Sequence, residues 1–414
     1  MQLFLLNSAK HIKPSLSILM TLEENGEVLI RDRRELQKIQ EEIDLQLPLS
    51  DLNESKWIRK KLFKHPGKIF LFLFTRFKHL SEAQHVQVLW DHYGKQDFGN
   101  RFPGSKKKFI LPELQRKICS FSLNAYDSIF WYRNRNELSR YFEKFDEIIL
   151  TFPTSETNSL WQTRLISVGK YLRIPTRHLV LSWDNLTNRP PAYASAEKIS
   201  VWARWQANQA VHLYQYPDNR VEIIGTRIYE PLLNIYEDDF STHLKFGNKR
   251  EFLKILYLGS SLGVSSQEFE QQAIEKLKHY LSLIVGENQF SLTVRSHPTK
   301  PLIQSNLNFP LTKLVIGKEQ NDTYISQILD ADIVIGQLTS GMLEAILLGR
   351  PSVTLPSYLH ETLYPHLFEL DKNQVIRLSW SEKTWVQDFK EMLDIPDYVN
   401  GQRQSLIRFM GGDF

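Results

Sequence analysis

Between Asp330 and Pro351 the chain reads DADIVIGQLTSGMLEAILLGRP, and few folds accept that order of residues. Ile333, Val334 and Ile335 form a short apolar run with polar flanks, the pattern of a strand buried on both faces of a parallel sheet. Gly336 breaks the run. Thr339, Ser340 and Gly341 then open a helical pattern, where a hydroxyl can cap the first turn while other backbone N–H groups point outward. Those donors and the helix dipole favour an anion such as a pyrophosphate. Glu344 lies on the first turns of the same helix, and Gly349 and Pro351 end it before a further strand, PSVTLP. Glu344 is therefore either a solvated helix residue or a carboxylate placed to accept hydrogen bonds from a ribose diol.

Elsewhere strands and helices alternate. Strands are expected near 2–7, 27–31, 68–74, 147–152, 178–182, 199–203 and 221–225, with helices such as 134–145, 158–172 and 205–214. A second alternation begins with KILYLGS at 254–260 and runs through 266–285, 290–295, 313–316 and 322–329 to the segment above, with a last helix near 381–394. The expected class is α/β, with two Rossmann-like domains facing across a cleft. The boundaries fall at 1–226 for one domain, acceptor-binding by the family resemblance described next, and 227–394 for a nucleotide-binding one. A tail over 395–414 is placed to cross back to the first domain. The length of 414 residues suits two domains of this size.

Three stretches carry a family resemblance. The Thr339-Ser340-Gly341 turn, Glu344-Ala345 and the later Gly349-Arg350-Pro351 resemble the nucleotide-sugar signature in the C-terminal domain of GT-B glycosyltransferases. That resemblance implies phosphate contacts at Thr339, Ser340 and Gly341 and a ribose contact at Glu344. Plant-type members carry His-Cys-Gly where this chain has Ile335, Gly336 and Gln337, so one histidine contact is missing. At the start, His11, Ile12 and Pro14, followed by Leu16, Leu19, Leu22 and Gly26, are similar to the opening turn and helix of the same superfamily. In inverting members the histidine of that turn is the general base, which implies the same for His11; imidazole titrates near neutrality, where a base works best.

The third stretch, 178–230, is similar to bacterial surface-polysaccharide and CDP-glycerol-transferase-like GT-B proteins, which share a Ser-Trp-Asp-Asn loop. Ser182, Asp184 and Asn185 would fall at the carboxyl end of a strand, where open α/β sheets bind ligands. Asp184 is the rival base, and Asn185 is either an acceptor contact or the closing residue of an Asx turn. Trp183 reads as core.

Two loops of the second domain point the same way. Gly259, Ser260, Ser261, Leu262 and Gly263 follow its first strand, and such small residues let amides approach a phosphate, although the full GxGxxG pattern is absent. Arg295, Ser296, His297 and Pro298 follow the strand FSLTV and are similar to the His-Pro motif of CMP- and CDP-donor transferases. That similarity implies a donor-phosphate contact at His297 with Arg295 in support.

The resemblance as a whole implies an inverting, metal-independent glycosyltransferase of surface or capsular polysaccharide assembly, with a nucleotide-sugar as co-substrate, no other cofactor, and a glycan or lipid-linked acceptor. A CDP-glycerol-type phosphotransferase, a nucleotide-sugar 2-epimerase and a non-catalytic nucleotide-binding partner remain open. Cys119 is the only cysteine, which excludes an internal disulfide and a cysteine zinc cluster and suits the cytoplasm. The net charge of +4 hides a basic stretch: 56–117 holds 15 Lys/Arg against 4 Asp/Glu, interleaved with Trp57, Phe63 and Phe77. Such a stretch suits an anionic membrane surface, giving an expected peripheral location on the inner membrane face, or is a solvated face. No nucleic-acid-binding motif accompanies it, and no apolar run reaches the roughly 20 residues that span a bilayer.

Overall fold

A computed structural model describes residues 1–8, 26–32, 128–153, 156–187, 195–226, 228–239, 252–260, 267–297, 312–315, 323–336, 339–355, 367–376, 382–394 and 398–412. The turn with His11, the strand expected at 68–74, the basic stretch 56–117 and the loop residues Ser261 and Gly263 lie outside them. The chain divides into two compact units, Met1–Ile228 and Tyr229–Phe414.

The first unit is built on six described parallel strands: β1 (Gln2–Ser8), β2 (Gly26–Asp32), β3 (Glu147–Thr151), β4 (Thr176–Leu179), β5 (Lys198–Val201) and β6 (Val221–Ile223). Their order is β2-β1-β3-β4-β5-β6. Leu3, Phe4, Leu5 and Leu6 of β1 are all buried, as a central strand covered on both faces requires. Helix α1 (128–142) and α2 (Glu156–Leu172) cover one face. Leu138, Tyr141 and Phe142 of α1 meet Leu165 and Val168 of α2 there, over Leu5, Ile148 and Leu150. Phe152, Val180, Ile199 and Val201 form a second cluster with Ala207 and Ala210 of α3 (Arg204–Tyr214).

The strand expected at 178–182 begins and ends earlier, at Thr176–Leu179. The reason is local: the Asn185 side chain accepts hydrogen bonds from the backbone N–H groups of Leu181 and Ser182, both at 3.0 Å, which turns the chain out of the ladder. Helix α1 begins six residues before its expected start, at 128, because its first turn is aromatic and lacks a clean apolar period.

The second unit opens with α4 (Glu230–Asp239) and carries five described parallel strands in the order β11-β10-β7-β8-β9. These are β7 (Leu253–Leu258), β8 (Phe290–Arg295), β9 (Thr312–Val315), β10 (Ile333–Gly336) and β11 (Ser352–Thr354). Alternation sorts their side chains: Ile255 and Tyr257 of β7 join a core with α5 (Gln267–Val285), while Leu256 and Leu258 join the opposite one. That opposite core includes Ile328 of α6 (Tyr324–Asp330) and Ala345 of α7 (Ser340–Leu347). A short α8 (Leu367–Lys372) precedes α9 (Glu382–Asp394), whose Trp385 and Phe389 pack on the α5 side.

Residues expected only as a tail form α10 (Tyr398–Phe409). Gln402 Oε1 accepts from the Ser352 backbone N–H at 3.1 Å, and its Nε2 donates to the Ser352 carbonyl at 2.9 Å. That side chain extends the ladder beyond β11 and satisfies an edge that would otherwise present unpaired backbone groups.

Candidate functional site

In an open parallel sheet the crevice forms at the carboxyl ends of two strands whose connections leave in opposite directions. In the second unit those strands are β7 and β10, since β7 leads to β8 on one side while β10 leads to β11 on the other. Leu258, Gly259 and Ser260 end β7, Arg295, Ser296 and His297 end β8, and Gly336 ends β10. The candidate residues read separately from sequence therefore converge on one sheet edge.

Helix α7 starts at that edge. Thr339 is its N-cap, with extended backbone (φ −154°, ψ 145°), and its hydroxyl accepts from the Gly341 N–H at 3.4 Å. Ser340 is the first helical residue. Met342, Leu343, Ala345, Ile346 and Leu347 are buried, which holds the helix by its apolar sides. Its other end closes as the sequence indicates: Gly349 has φ 72°, and the Arg350 N–H reaches back to the Ala345 carbonyl at 2.8 Å in a Schellman turn.

Tyr324, which no local sequence pattern singles out, joins these pieces. Its hydroxyl donates to Glu344 Oε2 at 2.5 Å. The Arg295 guanidinium carbon lies 4.9 Å from the centre of its ring, and Arg295 Nη1 donates to Gln327 Oε1 at 2.8 Å. A Cβ at Gly341 would sit 2.5 Å from the Tyr324 hydroxyl and 2.9 Å from Leu258 Cδ1, so only glycine lets the ring lie there. Burial pushes the Glu344 carboxyl above its ordinary range, and the bond from Tyr324 opposes part of that rise. Burial, then the adjacent Glu344, push the Tyr324 hydroxyl up as well, so it stays a donor at neutral pH. Arg295 is drawn below its usual value by burial, against which the facing Tyr324 acts.

The loop after β7 is held from below. Ser260 is fully buried; its N–H donates to Glu270 Oε1 at 2.7 Å, and the Tyr257 hydroxyl approaches the same oxygen at 3.3 Å. Ser260 thus shapes the turn and keeps its amide on Glu270. Gly259 donates its N–H to the Arg295 carbonyl at 2.8 Å, and a Cβ there would lie 2.8 Å from the His297 backbone nitrogen. The two loops touch through backbone, and that contact sets where His297 leaves the sheet.

In the first unit, Asp184 and Asn185 follow β4. Asn185 is buried and holds the loop through Leu181 and Ser182, as an Asx turn would. Asp184 is half-buried and accepts from the Ser182 hydroxyl at 2.6 Å. Gln206 of α3 braces the loop from below, its Nε2 lying 3.2 Å from the carbonyls of both Ser182 and Trp183. Trp183 is buried. The other candidate base, His11, lies outside the described residues.

No protein-family model matches the chain, and no curated protein matches it in sequence. Solved structures do resemble it in shape. The UDP-GlcNAc 2-epimerase from Neisseria meningitidis, solved with UDP-GlcNAc, superposes with a TM-score of 0.52 at 13% identity, over 97% of this chain and 94% of that one. A putative UDP-N-acetylglucosamine 2-epimerase from Listeria monocytogenes gives 0.52 at 11% identity, covering 98% and 90%. The MnaA protein of S. aureus, solved with UDP, gives 0.51 at 10% identity, covering 98% and 91%. This chain has the GT-B fold, two Rossmann-like domains each with a parallel sheet.

Proposed function

We propose that the protein is a nucleotide-sugar-dependent glycosyltransferase that serves surface or capsular polysaccharide assembly. The observation that carries this reading is the Tyr324–Glu344 pair beside the capped start of α7, at the crevice of the second sheet. Glu344 accepts from the ribose hydroxyls, and Tyr324 holds its carboxylate in one orientation. The first amides of α7, with Thr339, Ser340 and Gly341, receive the diphosphate. His297 adds an imidazole donor, and Gly259 with Ser261 and Gly263 lets backbone come close; Ser260 and Arg295 serve as positioning residues.

The reaction is then a displacement at the anomeric carbon. The acceptor oxygen attacks that carbon while the bond to the phosphate oxygen breaks, and the departing nucleotide carries the electron pair as negative charge. The helix start and His297 stabilise that charge without a metal ion. A base takes the acceptor proton, and His11 and Asp184 are its candidates.

A 2-epimerase is the second reading, supported by the epimerases with which this chain shares its fold. Mass spectrometry of the protein incubated with UDP-GlcNAc and related donors, with and without oligosaccharide or polyprenyl-linked acceptors, separates the readings. A glycosylated acceptor plus free nucleotide supports transfer. An isomerised donor formed without acceptor supports epimerisation, a polyol phosphate on the acceptor from a CDP donor supports phosphotransfer, and an unchanged donor that still binds supports a non-catalytic partner.

A further inference from the structure

The first unit has a cavity of about 670 Å³ at the edge of its sheet opposite the Asp184 loop. Its walls come from the residues that lead into β4, β5 and β6, not from those that follow them. Thr176 begins β4, Ala196 and Glu197 precede β5, and Arg220 precedes β6. Since these strands are parallel, that edge is one strand length away from the loop carrying Asp184, about 13 Å for four residues at roughly 3.3 Å each.

Three cations face one carboxylate there: Lys170, Arg173 and Arg220 against Glu197. Among the described residues, none of the three cations makes an ion pair or a side-chain hydrogen bond, whereas nearby Arg177 is bonded to both Glu147 and Glu222. Unpaired cations concentrated on one concave surface attract an anion that neutralises several at once. Part of their charge offsets the negative ends of α2 and α3, which finish at this edge, but Arg220 belongs to neither helix.

Backbone conformation fixes where two of the lining residues leave their helices. Arg173 and Gln215, both lining the cavity, have φ of 60° and 57°, and they are two of the three described non-glycine residues in the left-handed region. Each such residue costs about 1 kcal/mol that glycine would avoid. Both positions directly follow a helix, α2 or α3, where a left-handed residue is a common helix ending. The Tyr216 hydroxyl is taken up by buried His178, 3.1 Å from its Nδ1, and burial keeps it protonated.

We propose that this cavity binds a small phosphorylated ligand, with Lys170, Arg173 and Arg220 taking the phosphate oxygens and Glu197 accepting from the ligand's hydroxyls. It is a second site, separate from the edge formed by α7. A volume of this size accommodates a sugar phosphate or a nucleotide.

Calorimetric titration of the full chain with inorganic pyrophosphate tests this in wild type, in the Lys170→Gln/Arg173→Gln/Arg220→Gln variant and in Thr339→Ala/Glu344→Ala. The cavity variant is expected to lose one class of sites, with affinity falling at least tenfold, and the α7 variant to keep it. Arg173→Gly supplies a contrasting readout: it relieves the backbone strain, so its Tm is expected to rise while pyrophosphate binding weakens. Unchanged binding in both cavity variants, loss of all binding in the α7 variant alone, or no heat from pyrophosphate with wild type would overturn the proposal.

Discussion

The Tyr324 hydroxyl donates to Glu344 Oε2 at 2.5 Å, tying the first residue of α6 to the first turns of α7 across 20 positions of sequence. The bond fixes the carboxylate proposed to meet the ribose, and it gives Glu344 a pH signature. Its folded pKa lies above the ordinary carboxylate value of about 4.3, because burial outweighs the opposing bond from Tyr324. A raised pKa means that the folded state binds the proton more tightly than the unfolded chain does. The resulting stability is present below the unfolded value and is lost as pH rises through the folded one. Glu344→Gln is therefore expected to gain Tm relative to wild type across that window. Tyr324→Phe removes the opposing bond and is expected to move the window to higher pH. A shift to lower pH would show that the hydroxyl does not stabilise the carboxylate.

Gly341 is the close-approach point of the site. Alanine there places a methyl group 2.5 Å from the Tyr324 hydroxyl and 2.9 Å from Leu258 Cδ1, a clash expected to cost about 1–3 kcal/mol in urea unfolding. The nearest atom is the hydroxyl, so combining Gly341→Ala with Tyr324→Phe is expected to recover part of the loss. Strict additivity in that double-mutant cycle would mean that the two positions do not meet.

In the Asp184 loop, stability and activity are expected to separate. Asn185→Ala strands the N–H groups of Leu181 and Ser182, and a loss of about 1–3 kcal/mol is expected. Asp184→Asn keeps the loop and is expected to change stability by less than about 0.5 kcal/mol. If Asp184 is the base, turnover falls by about 10²–10⁴-fold. A fall of that size in His11→Ala, with Asp184→Asn near wild type, assigns the role to His11.

Leaving-group stabilisation by a helix start and an imidazole implies that chelation is harmless. Transfer after EDTA treatment is expected to match the untreated rate. Abolition by EDTA with rescue by Mg²⁺ would contradict the metal-free mechanism.

Much of the fold was legible because central strands such as β1 and β10 are short apolar runs buried on both faces, and Phe290–Arg295 falls where its pattern placed it. Thr339 and Gly349 were legible too, since a hydroxyl before a helix and a glycine after it each answer a local backbone need. What the sequence hid is long-range. Nothing local in DTYISQIL marks Tyr324 as the partner of Glu344, and nothing in VNGQRQS marks Gln402 as the residue that extends the sheet at Ser352. Helix α10 also carries Gly401 in its interior, an unfavourable residue for a helix that packing on the second unit overrides. The partner of Ser260 is long-range in the same way: small residues after a strand suggest phosphate, and its N–H donates to Glu270, ten residues on.

The most direct test of the central claim is isothermal titration of UDP, GDP, dTDP, ADP, CMP and CDP into wild type and Glu344→Ala, at a pH where Glu344 is ionised. One nucleotide is expected to bind wild type and to lose at least tenfold in affinity in the variant, about 1.4 kcal/mol. Binding that Glu344→Ala leaves intact, or no binding by any of the six, would contradict a nucleotide site at the start of α7.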